Sequence, residues 1–106
     1  DELATNFFST RIFVLTPEGD VLDLPVGSTI LDFAYLIHSD IGDTAIGGRL
    51  NGQFCALKTP LENEMVVEIV TDKKVKPSDK WLDWVITNHA KEKIKRQLNK
   101  QKNKIV

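Results

Sequence analysis

Apolar and polar positions change their period several times along this chain, and each change marks an element. Residues 1–8 keep no sustained period and read as a lead-in. Arg11-Ile12-Phe13-Val14-Leu15-Thr16 is β-branched and aromatic, which predicts a strand. Pro17-Glu18-Gly19-Asp20 is a turn, with Pro fixing φ at the first corner and Gly free to take positive φ. Val21-Leu22-Asp23-Leu24-Pro25 alternates as a returning hairpin strand does, and Pro25 ends it because it cannot donate to the ladder.

A helical period comes next. Thr29 is a good N-cap, and Asp32 stands where a capping box needs its acceptor. Ile30, Phe33, Ala34 and Ile37 recur on one face, with Tyr35 and Leu36 beside them, so this short helix must bury against a sheet. The pattern stops near His38. Ser39-Asp40-Ile41-Gly42-Asp43 reads as a loop, with Gly42 as its left-handed position. Asn51-Gly52 between Ile46–Leu50 and Gln53–Leu57 is the strongest short hairpin signal a sequence offers. After the turn Lys58–Asn63, Met65–Val70 is a nearly continuous apolar strand, which predicts burial on both faces.

The predicted order is strand, strand, helix, strand, strand, strand. A helix crossing one face of a mixed five-stranded sheet is the ubiquitin-like β-grasp, an α+β solution in two layers. This domain spans 9–71. Residues 72–80 are polar, contain Pro77 and read as a linker, with Ser78 or Asp79 able to cap the next helix. Residues 81–106 form a basic C-terminal helical segment, opened by Trp81, Trp84, Val85 and Ile86 and continued by Ile94 and Leu98. Trp81 and Trp84 lie one turn apart and are expected to anchor that helix to a neighbour.

Charge changes the picture more than composition does. The 106 residues carry a net charge of −1, which conceals two opposed halves. Residues 1–71 hold three basic and eleven acidic side chains, a balance of −8. From Asp72 onward eleven basic residues meet four acidic ones, a balance of +7. The reading is an acidic body with a basic tail. Lys91, Lys93, Lys95, Arg96, Lys100, Lys102 and Lys104 lie too close together to share one helix face. They make either a solvated amphipathic helix or a patch that meets RNA phosphates.

Candidate chemistry is sparse. Cys55 is the only cysteine, which excludes an internal disulfide, a cysteine-rich zinc site and an iron–sulfur cluster. It falls in a predicted strand and reads as a small buried hydrophobe. No HExxH, phosphate-binding loop or CxxC is present, so neither catalysis nor a cofactor is expected in this segment. Asp20 with Asp23, and Asp40 with Asp43, stand at turn positions where carboxylates cap backbone. No stretch approaches a membrane span and no secretory leader pattern is seen, so no membrane contact and a cytoplasmic setting are expected. The chain opens on Asp1, not Met, and is read as a fragment of a longer protein. His89 is expected on the solvated surface. His38 falls at a helix end beside a polar loop, where it is either a C-terminal cap or a contact residue.

Taken together, Arg11 to Asp20 (RIFVLTPEGD), Val21 to Gly27 (VLDLPVG), Ser28 to Gly42 (STILDFAYLIHSDIG) and Ile46 to Gly52 (IGGRLNG) resemble the TGS domain. That module is named for threonyl-tRNA synthetase, a GTPase group and SpoT. TPEGD, LDFAYLIHSDIG and the downstream WLDWVITNHAKEKIKRQL are most similar to the RelA/SpoT enzymes, which synthesise and hydrolyse the alarmone (p)ppGpp. The resemblance covers roughly 9–98.

The resemblance implies regulation by a non-catalytic module of a bacterial GTP pyrophosphokinase/(p)ppGpp hydrolase, the stringent-response enzyme. The implied partners are uncharged tRNA and the ribosome, acyl carrier protein in SpoT-like members, and catalytic domains in cis. The histidine of the IHSD motif, His38, is implied in contact with the 3′ CCA end, and Ser39, Asp40 and Arg49 are the further binding candidates. Asp43 stands where the family usually has a second histidine, an anion that would repel a phosphate. With the acidity of the body, this predicts a local and largely non-phosphate contact. The alternative is a docking module for acyl carrier protein or the catalytic domains, without RNA, that uses the Lys91–Lys104 helix. A ubiquitin-like modifier would need a terminal Gly-Gly, where this chain has Asn103-Lys104-Ile105-Val106.

Overall fold

The computed structural model describes residues 10–103. The expected lead-in at 1–8, and Lys104 of the basic tail, lie outside them. Strands β1 (Arg11–Leu15) and β2 (Val21–Pro25) form an antiparallel hairpin in the register Leu15↔Val21. Its turn is closed by the Thr16 N–H donating to the Asp20 carbonyl at 2.9 Å and by the Asp20 N–H donating to Thr16 Oγ1 at 3.0 Å. Gly19 takes φ +95 there, as a non-glycine residue would do only under strain. Alternation sends Ile12, Val14 and Leu24 into the core, while Phe13 and Val21 face outward.

Helix α1 (Ile30–Ile37) begins with the expected capping box between Thr29 and Asp32. Its stripe of Ile30, Leu31, Phe33, Ala34 and Tyr35 is buried. Helix α2 (Ser39–Asp43) begins after one residue. Strands β3 (Ala45–Leu50), β4 (Gln53–Cys55) and β5 (Val67–Thr71) make the second antiparallel sheet, in the order β4-β3-β5. Among the described residues a single parallel bridge, Leu15↔Val66, joins it to the hairpin. Beside that bridge the Leu15 N–H donates to the Met65 carbonyl at 2.8 Å. Glu64, at φ +68, interrupts the ladder just before it. The expected mixed sheet therefore exists as two antiparallel pieces sharing one seam, with α1 across one face.

Two strands differ from expectation. β4 ends at Cys55, not Leu57, because the chain turns away to serve α1. The Thr59 and Leu57 carbonyls accept the N–H groups of Ile30 and Leu31, donors that a helix start leaves without partners. β5 starts at Val67 and is not fully buried on both faces: Val67 is enclosed, Glu68 exposed, and Ile69 and Val70 half-buried. No described element covers the far side of the sheet.

The C-terminal segment also departs from the single helix expected over 81–98. It forms α3 (Trp81–Trp84), an extended stretch at 85–87, and α4 (Asn88–Asn103). Val85-Ile86-Thr87 are three consecutive β-branched residues, a poor helical run. Thr87 Oγ1 accepts the Ala90 N–H at 3.2 Å and so starts α4. Trp81, Val85, Ala90 and Ile94 join the same core as Val14, Phe33 and Val67. His89 is exposed, but its Nε2 lies 3.2 Å from the Tyr35 carbonyl and helps hold α4 on α1.

Candidate functional site

The site is built on the joint between α1 and α2. His38 has extended backbone (φ −168, ψ 144) and serves both helices at once. Its N–H donates to the Ala34 carbonyl at 3.2 Å, closing α1. Its Nδ1 accepts the Asp40 N–H at 3.1 Å, opening α2. That acceptor role leaves Nε2 as the nitrogen able to donate to a ligand. The side chain is 65% exposed. The capping reading and the contact reading are thus compatible, since one ring edge caps and the other is free.

The expected loop at 39–43 is instead a helical turn, and Gly42 has no positive φ. The glycine is needed for space. A Cβ there would come within 2.3 Å of the Tyr35 ring. This close approach brings Asp43 to the Tyr35 hydroxyl, which donates to Asp43 Oδ1 at 2.8 Å. Asp43 does not cap backbone as expected. Burial raises its pKa above the ordinary carboxylate value, and Asp40 adds to the rise; Tyr35, Lys100 and Lys93 act against it. Tyr35 in turn is pushed well above the usual phenol range, chiefly by burial.

Ser39, Asp40 and Asp43 line a groove of about 260 Å³ together with Lys93, Arg96 and Lys100 of α4. The basic tail is thus folded against the acidic turn. The sequence reading missed these three residues as neighbours of His38-Ser39-Asp40, although their spacing of three and four puts that subset on one helix stripe. On the other side of the joint, Leu36, Ile37 and Ile41 line a larger groove of about 540 Å³.

Arg49 is not brought to this site. It lies on the sheet face away from α1, where it pairs with Glu68 at 3.4 Å and stands opposite Phe54 in the β3–β4 register. Asp23, another of the expected turn carboxylates, pairs with Arg11 at 2.8 Å across the hairpin. Cys55 is half-buried. Among the described residues no group of three or more His, Cys, Asp or Glu could hold a metal ion. No helix among them is long and apolar enough to cross a membrane.

Comparison with known proteins adds to this geometry. Residues 12–71 match the sequence profile of the TGS domain. The chain is 46% identical over 105 residues to the guanosine-3′,5′-bis(diphosphate) 3′-pyrophosphohydrolase of Borreliella burgdorferi, covering 99% of this chain and 16% of that protein. It is 42% identical over 105 residues to the GTP pyrophosphokinase of Escherichia coli K12, covering 95% of this chain and 14% of that protein. It is 46% identical over 94 residues to the bifunctional (p)ppGpp synthase/hydrolase RelA of Mycobacterium tuberculosis, covering 87% of this chain and 13% of that protein. The chain thus spans about one-sixth or less of the length of these relatives.

Proposed function

This chain belongs to the TGS domain family, and from that premise we propose that it is the regulatory module of a RelA/SpoT-type (p)ppGpp synthetase/hydrolase. In this reading it senses uncharged tRNA on the ribosome, in the cytoplasm, and signals to catalytic domains elsewhere in a longer protein. The module itself performs no chemistry.

The observation that carries the reading is the exposed His38 ring, fixed through Nδ1 and open at Nε2. Single-stranded RNA ends are recognised by rings that stack on splayed bases and by polar groups that meet base edges. A ring already anchored by one nitrogen loses little freedom on stacking, and Ser39 beside it supplies a hydroxyl. The turn is rigid because Gly42 is seated on Tyr35 and Asp43 is bonded to it.

The test is a titration of the chain with deacylated and aminoacylated tRNA. The native chain should favour the deacylated form, His38→Ala should lose most of that binding, and Arg49→Ala should behave as native. Equal response of native and His38→Ala would remove the ring from the mechanism. The second reading, docking of acyl carrier protein without RNA, is favoured by the exposed basic residues Lys95, Arg96 and Lys102 on α4. It requires capture of that acidic protein to fail when these residues are reversed in charge.

A further inference from the structure

We infer that α4 supplies the phosphate-binding half of the same site: Lys93, Arg96 and Lys100 hold the sugar-phosphate strand whose terminal bases meet His38. This rests on the RNA reading above and assigns residues outside the IHSD motif.

Lys93, Arg96 and Lys100 succeed one another at helical spacing and line one wall of the groove whose opposite wall is Ser39, Asp40 and Asp43. Among the described residues none of the three side chains makes a close ion pair, although Arg11 and Arg49 elsewhere do. Lys93 and Lys100 act on Asp43 only at longer range. Asp43, the carboxylate expected to repel a phosphate, lines the same groove, but its Oδ1 is turned to the Tyr35 hydroxyl. Three cations therefore face two acids across the groove, Asp40 exposed and Asp43 half-buried with Oδ1 bonded to the Tyr35 hydroxyl. The expectation of a largely non-phosphate contact assumed that the basic tail stood apart from the acidic body. With α4 packed on α1, it does not.

The shape favours a nucleic-acid strand over an acidic protein. A groove of about 260 Å³ has room for a sugar-phosphate unit, and its acidic wall of Asp40 and Asp43 disfavours the broad face of an acidic protein. His38 and Ser39 are consecutive residues, so a strand leaving the imidazole enters the groove directly. A base stacked on the ring would then be followed by phosphates along the α4 stripe.

The test measures binding of a 5′-fluorescein RNA ending in CCA, and of deacylated tRNA, from low to moderate salt. Four proteins are compared: native, Lys93→Gln/Arg96→Gln/Lys100→Gln, His38→Ala, and a control with Lys58→Gln/Lys73→Gln/Lys74→Gln that removes equal charge elsewhere. Each single-strand phosphate contact contributes about 0.7 to the log–log salt slope, so the groove variant should lose roughly 2 and bind about tenfold or more weakly at low salt. The control should keep the native slope. His38→Ala should weaken binding with its slope intact. A Lys93→Arg/Lys100→Arg variant should retain both affinity and slope, and unfolding curves for every variant check that the fold persists.

An unchanged slope in the groove variant, or an equal loss in the control, overturns the assignment while leaving the His38 reading standing. Failure of the native chain to bind either RNA overturns that reading and the assignment with it. Capture of acyl carrier protein but no RNA, abolished by the groove variant, would make the stripe a protein interface and likewise overturn it.

Discussion

The backbone N–H of Thr87 donates to Oδ1 of Asp32 at 3.1 Å, although 55 residues of chain separate them. The Thr87 hydroxyl reaches the same oxygen at 2.9 Å. The Ile86 N–H lies 3.1 Å from Oδ2, and the Thr29 N–H 2.9 Å from it. A carboxylate placed to cap α1 therefore also fastens the strap between α3 and α4. Thr29 completes the clasp by donating from Oγ1 to the Trp84 carbonyl at 2.8 Å.

Asp32→Ala should accordingly cost about 3 kcal/mol or more, because several buried donors would lose their acceptor together. Asp32→Asn should recover little, since its amide would turn hydrogens toward N–H groups. Urea unfolding gives the loss, and amide exchange at Ile86 and Thr87 locates it. Fast exchange there with global stability retained would show that the strap is local and α4 docks without it. Full stability in Asp32→Ala would remove the clasp from the energetics altogether.

Gly42→Ala tests the turn that carries His38. The new methyl group would meet Cδ1 of Tyr35 at 2.3 Å, far inside contact distance, and that ring is packed in the core. Overpacking of this kind costs about 1–3 kcal/mol. The ring cannot move without breaking its bond to Asp43, so the loss should come with a displaced α2 and weaker tRNA binding. Gly52→Ala is the contrast. It has open space around it but φ +90, so its cost should be backbone strain alone, with no effect on tRNA. A tolerated Gly42→Ala, measured by thermal unfolding, would mean that α2 shifts freely.

What the sequence makes legible is local. The Thr29–Asp32 box, the Pro17–Asp20 turn and the Asn51-Gly52 hairpin each lie within a few residues, and each forms where its pattern predicts. Three features escaped because their causes are distant in the chain. Gly42 carries a turn-glycine signature, yet Tyr35 decides its role. Val85–Thr87 sits inside a helical period; its β-branched run weakens the helix locally, but it is the distant Asp32 that holds it as a strap. The α4 stripe becomes part of a groove only because Ala90 and Ile94 are buried against the body. Of the site, the His38-Ser39-Asp40 turn was readable as a unit, whereas Arg49 was grouped with it although strand alternation puts it on the other face of β3.

Asp43 gives the module a distinct dependence on pH. Its folded-state pKa is raised above the ordinary 3.8, mainly by burial, with Asp40 adding to it and Tyr35, Lys93 and Lys100 opposing. The folded protein thus holds this proton to higher pH than the unfolded chain does. Its stabilising contribution is fully present below 3.8 and is lost as pH rises through the folded value, because unfolding releases a proton in that window. Asp43→Asn removes the titration, while its Oδ1 can still accept from the Tyr35 hydroxyl. The variant should therefore gain on the native chain as pH rises from about 4 toward neutrality. Urea midpoints collected across that range would show the difference growing with pH and levelling once native Asp43 is ionised. A difference that shrinks as pH rises would mean that Lys93 and Lys100 outweigh burial, placing the folded value below the ordinary one. The groove cations would then be committed to Asp43 and unavailable to a phosphate.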